Sequence, residues 1–84
     1  MFSIILLESS DDRKTMLDYL SIKPFKFDVI GYSIVCLLDD IREHSTLYNY
    51  MNVNLVRAGR IITVGNFDNG YEDYVPAKSP ISLR

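Results

Sequence analysis

Between Pro24 and Gly31 the chain reads Phe25-Lys26-Phe27-Asp28-Val29-Ile30, with Phe25, Phe27 and Val29 on one side and Lys26 and Asp28 on the other. Strict alternation has the period of a strand, since successive side chains of an extended chain point to opposite faces. The chain must therefore build a sheet, and its other segments must supply the remaining strands and a covering layer.

Phe2 to Leu7 is a short, nearly continuous apolar run, expected to be a strand buried on both faces. Ser9 or Ser10 then caps a helix whose first turn holds Asp11 and Asp12, where the helix dipole favours negative charge. Met16, Leu17 and Leu20 face the core, and Pro24 ends the segment. Ile34, Leu37, Leu38, Ile41 and Tyr48 recur at helical spacing, which predicts a second helix from about Ser33 to Tyr50. Tyr32 to Leu38 also reads as a strand continued past a glycine bulge at Gly31. That choice decides between a flavodoxin-like and a ferredoxin-like arrangement.

The last third reads as β. Val53–Val56 and Arg60–Val64 flank Ala58-Gly59, and Asn69-Gly70, a favoured type I′ turn pair, joins Ile61–Phe67 to Tyr71–Val75. The expected fold is an α/β (α+β) domain over residues 1–76 with a small mixed sheet. Its expected order is β-α-β-α-β-β-β with helices mainly on one face, a ferredoxin-like arrangement being the alternative. Residues 77–84 read as an extended tail.

At 84 residues and 9.7 kDa there is room for one domain. Such a chain buries only about 60–65% of its unfolded surface, so association with a copy or a partner helps it. A net charge of −2 and a pI near 5.1 exclude a protein held on nucleic acid mainly by phosphate neutralisation. No apolar stretch approaches the ~20 residues of a membrane span, and no basic segment precedes Ile4–Leu7 as a secretory signal requires. The expectation is a complete, soluble, cytoplasmic chain. Its lone Cys36 forms no internal disulfide and reads as a buried, reduced thiol; one histidine and one cysteine fall short of a zinc site. Ala58 and Ala77 are the only alanines, among many Ile, Asn, Asp and Tyr, a bias that fits a phage or a low-GC bacterium.

One constellation has a mechanism. Glu8, Asp11 and Asp12 follow the carboxyl end of the first strand, where open α/β sheets bind ligands, and three hard oxygen donors suit Mg²⁺ or Mn²⁺. The competing reading is a capped helix start. His44, between Glu43 and Ser45, reads as a surface histidine, and Asp68 to Asp73 reads as a hairpin turn rather than a calcium loop. There is no Walker loop, no G-x-G-x-x-G and no nucleophile elbow, so no complete catalytic set and no cofactor are expected.

The stretch IILLESSDDRKTMLDYL, followed by FDVIGYSIVCLLDDIREH, resembles the opening of a two-component receiver domain over about half the chain. That resemblance implies a metal-binding acidic pocket; the expected third strand ends at Val56 and Arg57 without the family's carboxylate. The same stretch is similar to the small ferredoxin-like nucleases of CRISPR adaptation, with Tyr32-Ser33 matching their aromatic-Ser pair. This second resemblance implies metal binding at Glu8, where an aspartate is the norm.

Tyrosine offers large contact area at low entropic cost. Tyr48 and Tyr50 on the second helix, with Tyr71, Glu72, Asp73 and Tyr74 on the last strand, are the expected interaction surface. The last strand also reads as a sheet edge open to a partner strand or a copy of itself. The expected function is a small acidic, non-enzymatic protein-interaction or regulatory module. It would be phage-encoded, act on a host protein, and form a homodimer through an edge strand. The alternative is a divalent-metal-dependent nuclease-like or degenerate receiver-like domain using the acidic cluster.

Overall fold

Side chains alternate between buried and partly exposed along β1 (Phe2–Leu7), so Ser3, Ile5 and Leu7 enter a core while Phe2, Ile4 and Leu6 lie on the opposite face. The structure, a computed structural model, describes residues 1–65 and 70–76. The remaining elements are α1 (Ser10–Ser21), β2 (Lys26–Ile30), β3 (Ser33–Leu37), α2 (Ile41–Asn54), β4 (Gly59–Val64) and β5 (Tyr71–Val75). The strands form one sheet in the order β2-β3-β1-β4-β5, and every neighbouring pair is antiparallel. The class is the expected small α+β fold. The order is β-α-β-β-α-β-β rather than β-α-β-α-β-β-β, and the first six elements make the split βαβ, or ferredoxin-like, arrangement given as the alternative. β5 adds a strand beyond β4.

The difference starts at Gly31. Ile30 pairs with Ser33 across a two-residue turn whose first residue, Gly31, has φ +60°, as a type II′ hairpin turn requires. Past that turn the helical spacing of Ile34, Leu37 and Leu38 yields to the period of two: Ile34 and Cys36 are buried and Leu37 is exposed. The helix begins only at Ile41, capped by Asp40, whose carboxylate accepts from the amides of Arg42 and Glu43. It runs on to Asn54, through the segment expected as a strand at Val53–Val56, and Val53 is left exposed.

α1 forms as its sequence dictates. Ser9 is the N-cap, accepting from the amide of Asp12, and Met16 and Leu20 are fully buried with Leu17 packed beside them. Both helices bury into one cluster with Ile5, Leu7, Ile34, Cys36, Ile61 and Val75, so they cover one face of the sheet.

The β4–β5 hairpin is wider than the expected Asn69-Gly70 turn. Tyr71 faces Thr63, which leaves residues 64–70 between the paired strands. A shift of one residue would exchange the faces of β5. The observed register buries Val75 under the helices and turns Tyr74 outward, so core burial overrides the local turn preference. Asn69 and the tail expected at 77–84 lie outside the described residues.

Candidate interaction surface

With both helices on one side, no described residue forms a layer over the other face of the sheet. Three rows cross it. Val35, Ile4 and Ile62 form the middle row, between Asp28 on β2 and Glu72 on β5. Leu37, Phe2 and Val64 form the next, flanked by Lys26. Ser33, Leu6 and Arg60 form the third, between Ile30 and Tyr74. The centre is apolar and only partly buried, Leu37 being 57% exposed. Charged residues stand at both edges, and Arg60 pairs with Glu72 at 3.0 Å.

The residues expected to form one tyrosine-rich surface fall on different sides. Tyr74 (66% exposed) and Glu72 share the uncovered face. Tyr48 and Tyr50 pack against the core from the helix layer, and Tyr50 stacks on Tyr19 with ring centroids 3.7 Å apart. Burial, and then the neighbouring Tyr50, push the Tyr19 hydroxyl above its ordinary pKa. Asp73 points to the helix side, where its carboxylate meets His44 Nε2 at 2.9 Å. The side chain of Tyr71 lies outside what the structure describes.

His44 is buried, not on the surface as its neighbours suggested. It lies on the α2 stripe with Leu47 and Met51, which helical spacing turns to the core. A carboxylate only accepts, so Nε2 donates to Asp73, while the hydroxyls of Ser3 (3.1 Å) and Thr63 contact Nδ1. The residue types are those of a Ser-His-Asp relay, but the ring nitrogens are exchanged, Nδ1 meeting the hydroxyls and Nε2 the carboxylate, and Ser3 has no accessible surface on which a substrate could meet it. The network is a buried tie joining β1, α2, β4 and β5. The sequence carried a signal for it: Ser3 shares the face of Ile5 and Leu7, and a hydroxyl placed there requires a partner.

The acidic trio is not assembled. Asp12 turns inward, and its carboxylate accepts from the amides of Val56 (2.7 Å) and Arg57 (2.9 Å), tying α1 to the loop between α2 and β4. Glu8 and Asp11 remain on the surface. Beside the carboxyl end of β1 lies a guanidinium: Arg13 donates to the carbonyls of Leu7 (2.7 Å) and Glu8 (3.2 Å) and lies over the Tyr32 ring. Among the described residues no three His, Cys, Asp or Glu side chains are grouped to hold a metal ion. A cleft of about 530 Å³ opens at this end of the sheet, between Arg13, Tyr32, Arg60 and Tyr74.

The chain matches no family model, no curated protein and no solved structure. Among the described residues no helix is long and apolar enough to cross a membrane.

Proposed function

We propose that this protein is a small, cytoplasmic, non-enzymatic interaction module that binds another protein through the uncovered face of its sheet. The observation that carries this reading is the apolar centre of that face, from Leu37 and Phe2 to Ile62 and Val64, set inside a charged rim. An exposed apolar patch rimmed by polar groups is the anatomy of a binding surface. Tyr74 and Glu72 belong to it; Tyr48, Tyr50 and Asp73 serve the fold. A host protein as target is supported by the alanine-poor composition, which suits a phage or low-GC source.

A photoreactive residue placed at Leu37 should trap one defined protein in the source cells. The same probe at Ile22, 78% exposed beyond the end of α1, should trap little. Ile4→Lys combined with Ile62→Lys should remove the adduct while leaving the circular dichroism of the fold intact. Equal trapping at both positions, or none at position 37, would contradict the proposal.

A further inference from the structure

The sheet has two edges, and they differ in charge. On β5 the carboxylates Glu72 and Asp73 already have partners in Arg60 and His44, so that edge offers a second copy no opposite charge to meet. On β2 all five residues are exposed, and its charged side chains, Lys26 and Asp28, carry both signs. β2 pairs only with β3 among the described strands, so its other edge is open.

The ladder identifies which backbone groups face outward. A two-residue turn is closed by a hydrogen-bonded pair, here Ile30 and Ser33, and such pairs alternate along an antiparallel ladder. Lys26, Asp28 and Ile30 therefore bond to β3, while Phe27 and Val29 aim their amides and carbonyls away from it. The Val29 amide agrees: it donates to the Asp28 carboxylate at 2.9 Å instead of to a strand.

We infer that β2 is a self-pairing edge, joining two copies of this chain antiparallel about a two-fold axis at Phe27. In that register Phe27 faces its own copy and exchanges both backbone hydrogen bonds with it. Phe25 faces Val29 of the other copy, and these too are outward-pointing positions. Lys26 then lies opposite Asp28, twice by symmetry, as an isologous interface requires. Phe27 and Val29 are 37% and 46% exposed in the single chain and gain apolar neighbours. Asp28 exchanges its Val29 amide for the Lys26 ammonium. A register centred on Asp28 would oppose like charges and groups already bonded to β3. A register centred on Val29 would leave Lys26 without an acid. The inference concerns the edge of the sheet and does not rest on the role proposed for its open face.

The interface is small, below the ~1,200 Å² of standard complexes, so the measurement is sedimentation equilibrium of the full chain up to hundreds of micromolar. A reversible dimer is expected. Lys26→Glu and Asp28→Lys, each alone, should weaken it by about tenfold or more, because each puts like charges opposite twice. The double variant Lys26→Glu/Asp28→Lys should restore it to within about threefold of the starting chain. A chain that stays monomeric over this range overturns the inference. So does a dimer insensitive to both single reversals, or one that the double variant fails to restore.

Discussion

Burial pushes the Cys36 thiol up to about 12, from an ordinary value near 9. The sign of its effect on stability follows from linkage. Between those two values the unfolded chain releases the thiol proton and the folded chain keeps it, so the native state binds more protons and unfolding becomes easier as pH rises. Below pH 9 the contribution is intact. Chemical denaturation at pH 8 and pH 10.5 should show a larger loss of stability for this chain than for Cys36→Ala. Equal losses would mean that the thiol is not held protonated. At the opposite end of the scale Asp40, partly exposed, is lowered chiefly by its side-chain hydrogen bond from Arg42 and then by the amides it caps. Its help to α2 is present above the ordinary carboxylate value and is lost as pH falls through the lowered one.

The elements are held in register by a few polar ties between them. Asp12 binds α1 to the loop that follows α2, and a buried carboxylate accepting two amides cannot be shortened without orphaning both. Asp12→Ala should therefore lower the unfolding free energy by about 2–3 kcal/mol. Asp11→Ala, at an exposed position of the same helical turn, should change it by less than about 0.5 kcal/mol. Equal effects in urea titrations would return Asp12 to the role of a simple helix-start acid. From sequence, α1 was fully legible because its cap, acidic first turn and Met16/Leu20 stripe all agree. β3 was less so: Ile34, Leu37 and Leu38 fit a helix as well as they fit a strand, and only the turn at Gly31–Tyr32 separates the two. The start of α2 at Asp40 was hidden by that overlap. Of the tie made by His44 with Ser3, Thr63 and Asp73, only the need of Ser3 for a partner was legible; the partners were not, for a different reason. Its members come from four elements, and local neighbours such as Glu43 and Ser45 say nothing about a face fixed by Leu47 and Met51. The candidate surface was legible only in part: Tyr74 and Glu72 share it, but the register that separates them from Asp73 is set by the burial of Val75.

At the scale of the whole molecule, the described residues place two helices of 12 and 14 residues on one face of a five-stranded sheet and none on the other. Among the described residues no third layer meets that face, so its apolar groups are buried only when something else covers them. The alternation along β1 and β4 makes the two faces separable in one experiment. Ile4 and Ile62 lie on the open face, and their sequence neighbours Ile5 and Ile61 lie fully buried under the helices. The decisive measurement is methyl NMR of isoleucine-labelled protein, titrated with the protein trapped from position 37. The account predicts shifts or broadening at Ile4 and Ile62, with Ile5 and Ile61 little changed. Perturbation confined to Ile22 or Ile41 on the helix layer, with Ile4 and Ile62 silent, would contradict it.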